Sequence, residues 1–169
     1  MSDTGILLLR VVVGAVMAAH GAQKLFGWFG GYGLKGTGGF FDQLGFRPGI
    51  AFATAAGLSE FLGGLLLILG LFTPLGAAAV LGAMIVASVG VHLKSGFFAT
   101  NNGIELPFLY GLVSLGLIFI GAGKYSLDAE LGFAFLGKPT LAFALVVLTI
   151  VAAVATLAAR QKPLQTSAS

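Results

Sequence analysis

The sequence predicts an all-α integral membrane protein: an antiparallel helical bundle of four core transmembrane helices with a fifth, C-terminal helix. Three observations predict it. Of 169 residues, 57% are hydrophobic and only 9% are charged, against about 25% charged in a soluble domain. Such a chain cannot cover a soluble surface, so lipid is its solvent. Five apolar stretches approach the ~20 residues that a spanning helix needs, at about 5–26, 49–71, 73–91, 106–121 and 139–159. In lipid only helices and closed barrels satisfy the backbone, and these runs are too long for barrel strands.

The first span follows MSDTGILLLR, which lacks the positive n-region of a signal peptide and reads as a retained helix. Arg10, Gly14, Met17, Gly21 and Lys24 step by four and three along it, which places them on one face; His20 lies at the edge of that stripe. A cationic stripe with small residues faces protein or water, with snorkelling of Arg10 as the plainer reading. The first connection, Gly27–Pro48, interleaves glycine with aromatics and reads as a long loop. The second span carries Glu60 near its middle, with Gly57 and Gly64 on the same side. A carboxylate there is paired or protonated, and Arg10 and His20 are its candidate partners. Little more than Phe72-Thr73-Pro74 joins the second and third spans, so they form a tight hairpin. The third connection, His92–Glu105, ends at the fourth span, the shortest, where Glu105 meets the helix N-terminus and Pro107 fits the first turn. The fifth span starts after Lys138-Pro139 and stops at Arg160 and Lys162. Residues 5–127 therefore read as a four-helix membrane domain, 128–159 as connector and C-terminal helix, and 160–169 as a polar tail expected to fray.

Charge and composition exclude several classes. A net charge of +3, scattered along the chain, offers no basic patch for nucleic acid. The absence of cysteine excludes disulfides, thiol catalysis and Cys-ligated zinc or iron–sulfur clusters held by this chain. Redox chemistry here needs a bound cofactor or a partner. Lys24, Lys35, Arg47, Lys94, Arg160 and Lys162 fall on the face of the first and third connections, and Lys124 and Lys138 on the other. The positive-inside rule puts the richer face in the cytoplasm, as for a multi-pass protein of the plasma (inner) membrane.

Alternating spans bring His20, Gln23, Lys24, Trp28, His92, Lys94, Asn102, Glu105 and Tyr110 towards one membrane face. An interfacial belt explains Trp28 and the phenylalanines but explains two histidines and a carboxylate less well. The expected site therefore uses His20, Glu60 and Glu105 for proton handling, and Lys24, Trp28, His92, Asn102 and Tyr110 for a ligand. Gly30, Gly31 and Gly33 would let the first connection close over it as a lid. Gly31–Gly36 matches G-x-G-x-x-G, but no strand precedes it and no dinucleotide fold fits. His20 and His92 as haem ligands are a minor alternative; no other metal is expected.

HGAQKLFGWFGGYG at 20–33, AGLSEFLGGLLLILGLFTPLGA at 56–77, VHLKSGFFATNNGIELPFLY at 91–110 and GKYSLD at 123–128 resemble the DoxX family of bacterial and archaeal membrane proteins. The resemblance runs from Leu7 to Leu127, and the fifth helix lies beyond the family's usual four-helix core. It implies a membrane subunit of a quinone-linked redox system. Members are associated with a terminal quinol oxidase, with thiosulfate:quinone oxidoreduction, with catechol or quinone resistance, or with redox-stress assemblies. Quinone is then the expected cofactor, and a soluble or membrane redox protein the expected partner, with a homo-oligomer also open. A non-catalytic anchor for a soluble redox partner is the alternative. A small-molecule carrier fits less well, because the bundle is small and lacks inverted repeats.

Overall fold

The computed structural model describes residues 2–162. Its helices are α1 (Ser2–Phe26), α2 (Gly33–Gln43), α3 (Gly49–Leu69), α4 (Thr73–Ala87), α5 (Glu105–Ile120), α6 (Leu127–Glu130) and α7 (Pro139–Ala158). The end of α4 continues through one π-turn, Ser88–His92, into a 3-10 turn. Four of these helices are long and apolar enough to cross a membrane: α1, α3, α4 with its continuation, and α7. The fifth apolar run, α5, is a helix of 16 residues, about 24 Å at 1.5 Å per residue. The all-α bundle expected from the sequence is what forms.

Hydrogen bonds fix the alternation of the spans. The Lys124 amide donates to Asp3 Oδ1 at 3.0 Å, so the start of α1 and the connection after α5 share one face, called here the N-terminal face. Gln161 N donates to the Gly45 carbonyl at 2.8 Å, and Arg160 Nε donates to the Leu44 carbonyl at 2.5 Å. The end of α7 and the first connection therefore share the opposite, C-terminal face.

Local chemistry sets the helix ends. Gly70 takes a left-handed conformation after α3, and Leu71 N reaches back to the Leu66 carbonyl, the pattern that satisfies orphan carbonyls at a helix end. Pro74 opens α4 and Pro139 opens α7, where a missing N–H costs nothing. Helices in lipid gain little from mutual apolar burial, so close approach through small residues decides their packing. In α1 and α3, Gly14 faces Gly64, and Gly21 faces Gly57 and Phe61. A core of Met17, Leu67, Val80, Leu81, Met84 and Leu117 joins α1, α3, α4 and α5, while α7 packs mainly on α4.

The first connection is not simply a loop. Residues 33–43 form α2, which packs on α3 with Gly38 against Ile50. Four connection glycines, Gly27, Gly30, Gly33 and Gly45, have positive φ, so the chain does use them for turns. Gly31, however, abuts the backbone of Gln23, which ties the segment to α1. Of the polar tail, Arg160–Lys162 are described; the expectation for residues 163–169 lies outside the described residues.

Candidate ligand cleft

A cleft of about 650 Å³ lies between α3 and α7, with α4 as its floor and Phe40, Phe41 and Phe46 closing the C-terminal face. Its size is that of a small-molecule site. The cause of the gap is legible in the side chains. The α3 wall presents Ala51, Phe52, Ala55, Ala56, Ser59 and Glu60, one helical stripe. The α4 floor presents Ala78, Ala79, Gly82, Ala83, Val86 and Ala87. Stripes this small leave space where larger residues would meet.

One ion pair is set into this apolar wall. Lys24 Nζ lies 2.5 Å from Glu60 Oε2, with the Lys24 side chain 25% exposed and that of Glu60 only 4%. The expected partners of Glu60 were Arg10 and His20, and the structure corrects both. Gly21 packs against Gly57 and Phe61, whereas Gly14 packs against Gly64 and Ile68. Arg10 is therefore more than two turns from Glu60, level with Gly70, and its guanidinium donates instead to the Tyr125 carbonyl at 2.5 Å. His20 is level with Glu60 but sits on the exposed side of α1. Lys24 lies one turn away, and its four-carbon stem spans that turn to reach Glu60.

The remaining expected residues divide. His92 lines the cleft beside Val91. Its Nδ1 is 2.7 Å from the Asn102 carbonyl; since a carbonyl only accepts, Nδ1 carries the proton and Nε2 is the free ring nitrogen. Asn102 thus contributes its backbone, and its side chain is exposed. Glu105 Oε2 accepts from Ala99 N at 2.8 Å, so this carboxylate organises the third connection. Tyr110 is half-buried against the central core. Trp28 is 56% exposed and packs beside Phe26 and Phe29. Lys24, Glu60 and His92 are brought to one cleft, and His20, Trp28, Asn102, Glu105 and Tyr110 are not among its lining residues. His20 and His92 accordingly do not share a cavity as paired ligands. Among the described residues no cluster of three or more His, Asp or Glu could hold a metal ion.

Three hydroxyls were missed in the sequence: Ser59, beside Glu60, and Thr149 and Thr156 on α7 line the cleft. Gly63 packs on Ala79 and Val80, so on antiparallel α3 the Glu60 side chain stands level with Gly82. Gly82 in turn meets Thr149 across α4 and α7. The ion pair, Ser59 and Thr149 occupy one level. His92 lies roughly 15 Å further towards the C-terminal face, at 1.5 Å per residue.

A family model for DoxX matches residues 5–93. The chain belongs to the DoxX family. That match takes in Lys24, Glu60 and His92 and ends before α5 and α7. A Bacillus subtilis (strain 168) relative named "Putative oxidoreductase CatD" is 32% identical over 136 residues, covering 80% of this chain and 91% of the relative. An uncharacterized Haemophilus influenzae protein is 36% identical over 123 residues, 71% of this chain and 85% of its own. An uncharacterized membrane protein of Mycobacterium tuberculosis is 29% identical over 138 residues, 75% and 80% of the two chains. No solved structure matches the chain. This DoxX chain is a membrane protein, and a bilayer covers its apolar surface.

Proposed function

We propose that this DoxX protein is the quinone-binding membrane subunit of a redox system of the plasma membrane. The observation that carries the reading is the Lys24–Glu60 pair in the wall of the apolar cleft. Charges at membrane depth are expensive and mark functional positions. A quinone head group needs a hydrogen-bond donor at its carbonyl, and its quinol an acceptor for the hydroxyl proton, beside an apolar slot for the tail. Lys24 supplies the donor, Glu60 the acceptor, and the alanine-walled cleft the slot. The Bacillus subtilis relative's name adds support for redox chemistry. Reducing a quinone to its quinol takes two electrons and two protons; this chain has no cysteine, so a second redox protein supplies the electrons, while the Lys24–Glu60 pair holds the head group where protons drawn from solvent reach its oxygens.

The test is purification in mild detergent, extraction of the lipids and chromatography for quinone. Quinone is expected with the parent and depleted with Lys24→Met. A quinone-free parent that also fails to bind added decylubiquinone overturns the reading. A soluble redox protein retained by that quinone-free parent would point to the anchor instead.

A further inference from the structure

We infer that α7 is the selective wall of this cleft, with the Thr149 hydroxyl as the second contact for a head group held by Lys24 and Glu60. The inference rests on the quinone-site reading above and adds the residue that reads the far side of the ring. α7 lies beyond the DoxX match at residues 5–93, so a plain membrane anchor is the simpler assignment for it. Its pattern says otherwise. Leu145, Leu148, Thr149, Ala152, Ala153 and Thr156 line the cleft, and their three-and-one spacing is a single helical face. The outer face carries Phe143, Val147, Ile150, Val151 and Val154, all exposed, as suits contact with lipid. Thr149 and Thr156 thus both fall on the cleft side, among two alanines and two leucines, while the other side carries no hydroxyl between Phe143 and Val154. An anchor alone gives no reason for placing both hydroxyls there.

The two threonines on the cleft face differ. Thr156 Oγ1 donates to the Ala152 carbonyl at 2.8 Å, the back-bond that satisfies a hydroxyl inside a helix. Thr149 makes no such bond among the described residues, and it sits at the level of the ion pair, on the opposite side of the cleft. A ring bearing oxygens at both ends meets Lys24 and Glu60 with one and Thr149 with the other. The ligand class is therefore a para-quinone or its quinol, in preference to an aromatic with oxygen at one end only.

Decylubiquinone binding to the full chain in detergent, measured by thermophoresis, tests this with Thr149→Val, Thr149→Ser and Lys24→Met. Valine keeps the shape and removes the hydroxyl. Thr149→Val is expected to weaken binding about tenfold with an unchanged melting temperature, while Thr149→Ser binds as the parent does. Parent-like binding by Thr149→Val, with loss in Lys24→Met, overturns the role of α7 and leaves the quinone site standing. Equal loss in Thr149→Ser and Thr149→Val also overturns it, because the serine retains the hydroxyl. A parent that does not bind the probe overturns the quinone site itself.

Discussion

Lys24 and Glu60 face each other at 2.5 Å across the glycine-lined seam of α1 and α3. Desolvating such a pair offsets much of its attraction, but removing one partner leaves a buried charge, typically at a cost of 3–5 kcal/mol. The Lys24 side chain is 25% exposed, so the lower end of that range applies. Glu60→Gln retains a carbonyl oxygen for Lys24 and is expected to cost about 1 kcal/mol. Lys24→Met strands a carboxylate with a 4% exposed side chain and is expected to cost about 3 kcal/mol. Adding Glu60→Gln to Lys24→Met should recover part of that loss. Glu60→Lys, which opposes two cations, is expected not to accumulate. Thermal unfolding in detergent gives the cycle, and simple additivity of the two single changes would show that the pair does not couple.

The α1–α3 seam is expected to be the least tolerant part of the bundle. A Cβ at Gly64 would stand 2.5 Å from both Ala18 N and the Gly14 carbonyl. Both obstacles are backbone, so the helices themselves must part. Gly64→Ala should therefore cost about 2–3 kcal/mol. Gly39, inside α2, has nothing within 4 Å of an added Cβ, and Gly39→Ala should gain about 0.5–1 kcal/mol from helix propensity. Melting temperatures that move in the same direction for both variants would contradict this packing.

Depth was legible in the sequence and direction was not. Apolar length located α1, α3, α4, α5 and α7, because the bilayer imposes it. The same alternation of spans put Lys24 and His92 towards one face, and both line the cleft. It also put His20, Glu105 and Tyr110 there, yet level says nothing of which way a side chain turns or what it meets. The Ala99 amide claims Glu105, an outcome set by the path of a loop. The glycine-rich first connection hid α2, since its apolar face depends on Gly38 fitting Ile50. Thr149 was missed because a threonine in an apolar helix ordinarily bonds its own backbone. Only its sharing of one stripe of α7 with Thr156 could have singled it out, and that stripe has meaning once α4 is known to lie beneath it.

Glu105 should matter for the third connection and not for the cleft. Its carboxylate holds the Ala99 amide at 2.8 Å, while Glu105 N donates to the Phe97 carbonyl at 2.8 Å. Glu105→Gln keeps an acceptor in place and should behave as the parent. Glu105→Ala releases the Ala99 amide and is expected to speed proteolysis between Leu93 and Ile104, with decylubiquinone affinity changed less than twofold. A loss of affinity in Glu105→Gln with the connection still protected would return this residue to the binding site.

The last prediction concerns the opposite face, where Arg10 and Asp128 tie three segments together. Arg10 is fully buried. Its Nη2 holds the Tyr125 carbonyl, and Nη1 occupies the space that a side chain on Gly70 would need. Asp128 is also buried, and its two oxygens accept from Phe72 N at 2.7 Å and Thr73 N at 2.9 Å. It thereby caps α4 from a segment more than fifty residues away in sequence, satisfying amides that a helix start leaves open. Asp128→Ala orphans both amides, each at about 1–3 kcal/mol when buried, and should cost more than any change at Glu105. Asp128→Asn keeps one acceptor and should lose roughly half as much. Gly70→Ala forces Arg10 out and strains a backbone with φ of 63°, so it should rank with Asp128→Ala. All three should leave the order of probe affinities at the cleft unchanged, because the cleft does not include these residues. Thermal unfolding beside probe binding checks both halves. Parent-like stability in Asp128→Ala would show that the α4 terminus needs no cap from this connection.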